Sequence, residues 1–433
     1  MNKTATRQMP SDFDPDAMSV DVARGYVQSC VKAGAMLDAL RPQDTQTLAL
    51  LDCLGRTLAA DIVSPINVPQ ANNAAMDGWT FAAENEADDS STSIALTEIG
   101  TSYAGKPFAG TVRAGECVRI FTGAVVPTGC DTVIMQERAS KLDNIVTVEK
   151  NFNRGQYVRH VGEDLQLGAI TLSRGHTIRP ADVGLIASLG IGEATVYRTL
   201  RVAFFSTGDE LAGIGSGENK GLAAGQLYDA NRYTIHSMLR RMGMDAIDLG
   251  VVPDNPALIK KTLIDAAARA DVIITSGGVS VGDADYVKAV LAELGEITFW
   301  KIAMKPGKPF AFGKISNTYF FGLPGNPVSA MVTFYQIVRD ALLSLQGVLP
   351  LPSRPIFNAM CTSAIKKSPG RTEYQRGILF FDNAEWKVRP TGEQGSGILK
   401  SMSLANCFIV LDSEASNLAA GCMVNIELFE GII

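Results

Sequence analysis

Histidine is almost missing from this chain, with three in 433 residues, and the seven cysteines at 30, 53, 117, 130, 361, 407 and 422 form no Cys-x-x-Cys pair. A zinc ribbon, a soft-ligand metal site and a dense disulfide framework therefore lack sequence support. Charge is also scarce: charged residues are 19% of the chain and the net charge is −6, which leaves no large basic face and argues against nucleic acid as a partner. No stretch near the N-terminus has the apolar core of a signal peptide, so residues 1–17 read as a polar tail and the cytoplasm is the default location. The longest charge-free run, Ile315 to Val338, exceeds the ~20 residues of a membrane span. GLPGNP (Gly322 to Pro327) breaks it into strand, tight loop and helix, so no membrane association is expected.

What the chain does contain is apolar material, 46% of its residues, enough for roughly three cores at about 150 residues each. Helical spacing runs from Ser19 to about Leu40, and a second helix is expected over about Thr45 to Leu54. Short β-rich pieces separated by Gly, Pro and Asn then fill residues 66–164. The stretch 165–199, with a short helix opened by Pro180-Ala181-Asp182, is expected to return to 18–65 as one discontinuous helical linker unit. From Arg201 strands and helices alternate, which implies a doubly wound, mostly parallel sheet over 200–347. After the linker-like LPLPSRP, residues 350–433 read as a small β-barrel or sandwich. The fold class is thus α/β and multidomain.

In an open parallel sheet, ligands bind beyond the carboxyl ends of the strands. Three strands here run into unusual loops: STGDEL (Ser206, Thr207, Gly208 onward), SGGVSVGDAD (Ser276, Gly277, Gly278, Ser280 onward) and PGNPVS (Pro324, Gly325, Pro327). Backbone N–H groups freed by Gly, together with hydroxyls, suit a phosphate-bearing ligand; ordinary tight turns are the alternative. Lys301, Lys305 and Lys308 flank Pro306-Gly307, where ammonium groups could hold an oxyanion or form a solvated basic edge. Asp209, Glu210, Asp254, Asp283 and Asp285 fall near the same strand ends, as carboxylates for Mg²⁺, although Asp209 could cap a helix and Asp254 could open a turn. Asp77, Thr122, Arg159 and Asp164 say little by themselves, since Asp-Gly is a common hairpin turn.

In order along the chain, AMDGW, IFTGAVVPTGCD, RHVGED, STGDEL, SGGVSVGDADY, KPGKPFAFG, GLPGNPVSA and GRTEYQRG resemble the molybdopterin molybdenumtransferases, a family that includes the E domain of gephyrin. The resemblance covers about Met18 to the C-terminus. It implies a four-domain homodimer with an active site near the protomer interface. It also implies Mg²⁺-dependent hydrolysis of adenylylated molybdopterin, AMP release and insertion of molybdate.

By the same resemblance, Glu210, Asp254 and Asp285 are metal and phosphate ligands, and Asp77 and Thr122 join them as catalytic residues. Lys301, Lys305 and Lys308 become anion-site lysines, Arg159 and Asp164 upstream site residues, and Ser396 and Ser401 members of a weaker C-terminal pattern. Transient contacts with the upstream adenylyltransferase and with acceptor molybdoenzymes are implied as well. The chain departs from the family pattern at Gln70 to Ala74, where an aromatic residue and Asp-Asn-Ser are common, and at Trp79, where Tyr is usual. A molybdopterin adenylyltransferase and a non-catalytic dimeric scaffold are the competing readings.

Overall fold

The structure is a computed structural model and describes residues 14, 16–37, 44–83, 92–214, 222–278 and 286–429. The first helix, Val20–Leu37, buries Val20, Ala23, Val27 and Val31 at helical spacing against the central α/β core. The second expected helix is instead the strand Thr45–Ala49 followed by a short 3₁₀ turn, Leu50–Asp52. Thr45 and Thr47 favour extended backbone, and the strand is completed by antiparallel pairing with Glu193–Tyr197, which lies far away in sequence. Leu50, Cys53, Leu58 and Ile62 share one core with Ile178, Ile186, Leu189 and Val196, so the segments before and after the β-rich stretch pack together.

Between them, a six-stranded sheet carries the strands Gly78–Phe81, Glu116–Ile120 and Thr132–Met135 side by side. Gly78 is required by a close approach rather than by a hairpin turn: a Cβ there would lie 1.7 Å from the Ile134 carbonyl oxygen.

The central sheet runs in the order Asp245–Val252, Arg201–Thr207, Val272–Ser276, Thr318–Leu323, Pro309–Ile315, Gly295–Lys301. The first four strands are parallel, and Pro309–Ile315 runs antiparallel to both of its neighbours, Thr318–Leu323 and Gly295–Lys301. Alternate residues serve opposite cores. Val202, Phe204 and Phe321 face Val20–Leu37 and Ala230–Arg241, whereas Ala203, Phe205 and Phe320 face Pro256–Ala267 and Tyr286–Leu294. The apolar segment from Pro327 to Leu345 is mostly buried on the first of these faces and forms a core helix, with a π-helical turn at Phe334–Val338. At the C-terminus, five strands close into a barrel, because Thr372–Asp382 pairs with both Glu385–Pro390 and Cys407–Leu411. Met304–Lys305 joins that barrel by pairing parallel to Thr372 and Glu373.

Candidate functional site

Arg201–Thr207, Val272–Ser276 and Thr318–Leu323 are adjacent and parallel, so their following loops share one end of the sheet. The glycines let these loops approach one another. Gly277 has φ +93°, and a Cβ there would come 2.7 Å from the Thr207 carbonyl oxygen; at Gly278 it would strike Val287. Ser206 donates to Asp229, and Asn231 donates to Ser276 Oγ and to the Gly325 carbonyl. Pro324 and Pro327 bracket the third loop, whose Val328 N–H donates to the Ser396 carbonyl. Ser280, Asp283 and Asp285 lie outside the described residues.

Carboxylates gather at the same end. The Glu210 carboxylate folds back over Gly208, where a Cβ would come within 2.6 Å of it. Asp209 caps no helix; its Oδ1 accepts the Asp254 backbone N–H at 3.1 Å. Asn255, not Asp254, caps the helix Pro256–Ala267. Partial burial, then the charges of Asp209 and Glu210, push the Asp254 carboxyl above its usual range. Such crowding fits a hard divalent cation, for which one or two carboxylates suffice. Among the described residues, however, no three Asp, Glu, His or Cys side chains are grouped to hold a metal by themselves, so substrate oxygens or further residues would have to complete the shell.

The three lysines do not converge on one point. Lys301 and Lys308 both reach the carboxylate of Asp14, at 3.4 and 3.0 Å, whereas Lys305 pairs with the buried Glu373 at 3.3 Å. The Lys308 hydrogen bond, aided by the Asp16 N–H and the nearby lysine charges, holds the Asp14 carboxyl below its usual range. Asp14 lies in the stretch expected to be a polar tail, yet its side chain is only 17% exposed.

Sequence reasoning missed Arg376, in the strand Thr372–Asp382. It is 1% exposed, its Nε donates to Ser401 Oγ and its Nη2 to the Gly395 carbonyl, and no carboxylate pairs with it among the described residues. Burial lowers its pKa to about 10. Guanidinium has five N–H donors, so two such bonds leave three for a ligand. Arg376 lines a cavity of about 460 Å³ together with Lys305, Pro306, Lys366 and Glu373, between the KPGKP turn and the barrel. Ser401 is itself buried and its hydroxyl is committed to Arg376 and the Ile398 carbonyl, so it supports the guanidinium from behind. The available signal was an arginine inside the apolar alternation of TEYQRGILFF.

In the β-rich unit, Asp77 Oδ1 accepts both the backbone N–H (2.8 Å) and the hydroxyl (2.7 Å) of Thr122. Those two bonds, with Arg119 nearby, hold the Asp77 carboxyl below its usual range. Val158–Arg159 pairs with Asn73–Ala74, which brings Arg159 alongside the loop leading to Asp77. Asp164 is exposed where the unit joins the linker, its backbone N–H bonded to the Val68 carbonyl. Trp79 points inward: it is 7% exposed and donates from Nε1 to Glu98, while Arg119 stacks over its ring. Among the described residues, no hydrogen bond or ion pair links Asp77, Thr122, Arg159 or Asp164 to the loops of the parallel sheet.

Three family models match in sequence order: the MoeA N-terminal region (domain I and II) at residues 18–190, a probable molybdopterin binding domain at 203–344, and the MoeA C-terminal region (domain IV) at 358–429. A molybdopterin molybdenumtransferase from Haemophilus influenzae is 44% identical over 394 residues, covering 90% of this chain and 96% of that protein. Gephyrin from Dictyostelium discoideum is 35% identical over 341 residues, 71% of this chain and 47% of the relative. A molybdopterin biosynthesis moeA protein from Pyrococcus horikoshii superposes with a TM-score of 0.80 at 26% identity, over 95% of this chain and all of that one. The chain belongs to the molybdopterin molybdenumtransferases, transferases of molybdenum cofactor biosynthesis.

Proposed function

We propose that the chain hydrolyses adenylylated molybdopterin, releasing AMP, and inserts molybdate at the dithiolene. The observation that carries this reading is the gathering of three phosphate-suited loops and the Asp209, Glu210 and Asp254 carboxylates at one end of the parallel sheet. The loops hold the nucleotide and its phosphates through backbone N–H groups and hydroxyls, while Glu210 and Asp254, with Asp285, would hold Mg²⁺. Bound there, Mg²⁺ would polarise the adenylyl phosphate linkage toward water. Arg376, Lys305 and Lys366 line the cavity beside the barrel and offer charge-assisted donors to molybdate.

Asp77, Thr122 and Arg159 form a separate polar group on the β-rich unit. In a cytoplasmic homodimer with the active site near the protomer interface, that group is supplied by the partner protomer.

The test compares two incubations: adenylylated molybdopterin with molybdate and Mg²⁺, and molybdopterin with MgATP. AMP release and cofactor formation in the first, without adenylylation in the second, supports the reading. Adenylylation in the second alone replaces it with the preceding step of the pathway, and partner binding without turnover in either replaces it with a scaffold.

A further inference from the structure

The start of the helix Ala230–Arg241 touches all three strand-end loops. Asp229, 2% exposed, caps this helix by accepting the Arg232 N–H, and the same Oδ1 accepts from Ser206 Oγ, both at 3.1 Å. Its Oδ2 is buried without a partner among the described residues, an expensive state for a carboxylate oxygen. Two residues on, Asn231 Nδ2 donates to Ser276 Oγ at 2.7 Å and to the Gly325 carbonyl at 2.6 Å. Asp229 supplies the oxygen that caps the helix, and both amide N–H groups of Asn231 point outward to the loops.

The loops need such a clamp. Gly277 and Gly278 sit at φ +93° and +69°, and glycine backbone is permissive enough to adopt other conformations at little cost. Among the described residues, the other hydrogen bonds between the second and third loops are the Gly277 N–H to the Leu323 carbonyl at 3.1 Å and a long contact from Ser276 Oγ to the Pro324 carbonyl at 3.4 Å. A two-pronged donor on a rigid helix fixes both loops relative to the sheet.

We propose that Asn231 is a positioning residue for the reaction: acting through Ser276 and Gly325, it sets the separation of the second and third loops and so the shape of the cradle for the nucleotide phosphate. Asp229 positions the first loop in the same way, through Ser206. The inference rests on the reading that these loops hold the nucleotide-bearing substrate.

The test uses the full chain, AMP as a calorimetric probe, and turnover of adenylylated molybdopterin with saturating Mg²⁺ and molybdate. Asn231→Ala is expected to weaken AMP about tenfold or more, and to lower kcat/KM similarly, for the loss of two hydrogen bonds. Asn231→Ser, which keeps one donor, should fall between wild type and Ala, and it supplies the readout if the Ala variant does not fold. In a Ser276→Ala background the Asn231→Ala change should cost distinctly less, because one prong has already lost its partner. A purely structural role would instead lower the melting temperature and leave AMP affinity per folded molecule unchanged. Wild-type AMP affinity and turnover in both Asn231 variants, or full additivity with Ser276→Ala, overturns the assignment while leaving the loop reading intact. A wild-type chain that binds no AMP overturns both together.

Discussion

Arg376→Met separates a ligand-binding arginine from a structural one. The fold lowers the guanidinium pKa from its usual 12.5 to about 10, which corresponds to roughly 3 kcal/mol against the charge in the folded protein. Removing the charge recovers about that amount. The substitution also gives up the bonds to Ser401 and the Gly395 carbonyl, which as bonds of a charged group contribute about 1.5 to 3 kcal/mol each. Stability should therefore fall by no more than about 3 kcal/mol, a shift of roughly ten degrees at most in Tm.

Anion binding should respond very differently. An oxyanion accepting two charge-assisted hydrogen bonds from the free donors loses about 3 to 6 kcal/mol when they go, on the order of 10² to 10⁴ in affinity. Arg376→Lys keeps a charge without the planar fork and should recover only part of this. Thermal melts with and without molybdate, beside calorimetric titration, read both quantities on one preparation. Wild-type molybdate affinity in Arg376→Met, or a loss of many degrees in Tm with no change in affinity, would refute the reasoning.

Three further outcomes follow from the same geometry. Asp254 has a raised folded pKa, so its ionised form costs stability above that pKa and the cost fades as pH falls through it; at neutral pH without divalent cation, Asp254→Asn should melt no lower than wild type, yet Mg²⁺ should stabilise only the wild type. Replacing Asp14 by Asn frees Lys301 and Lys308, so phosphate or molybdate should bind severalfold more tightly at low salt, with the gain vanishing as salt screens it; titrations at two ionic strengths check this. For Asp182, burial alone would raise the pKa, but the bonds from His176 and Arg179 outweigh it and bring it to about 2. Its stabilisation is full above the usual 3.8 and lost as pH falls from there to about 2, so the gap in acid unfolding between wild type and Asp182→Asn should close over that window.

The architecture was legible where the pattern was local. Alternating apolar strands and capped helices after Arg201 identify the parallel sheet, and Gly and Pro mark its loops in the residues themselves. Thr45–Ala49 was not legible as a strand because its partner lies about 150 residues away, and the extended preference of Thr45 and Thr47 is too weak to decide the matter without that pairing. In the site, STGDEL and SGG stand out by composition, whereas Asn231 looks like any polar residue near a helix start until its two acceptors are seen. Arg376 lay within a motif already singled out, but only closure of the barrel strips it of solvent. The lysines read as one basic rim; the fold divides them between Asp14 and Glu373 because Lys305 is drawn into pairing with the barrel strand.

The β-rich unit enters and leaves the rest of the molecule through a narrow neck. Val68 and Leu165 face each other in an antiparallel bridge, and just below them Ile62–Val63 pairs with Ile170–Leu172. Opposed residues in such a ladder stand only about 5 Å apart. Nearly a hundred residues are therefore inserted at one point without stretching the host. A two- or three-residue turn joining Val68 to Leu165 would span the gap, and the core built from Leu50, Leu58, Ile178 and Val196 loses none of its members when the insert is removed. The chain is thus modular at this point: the unit carrying Asp77 and Thr122 can be exchanged, shortened or reoriented by changes confined to its neck, without redesign of the sheet that holds the strand-end loops.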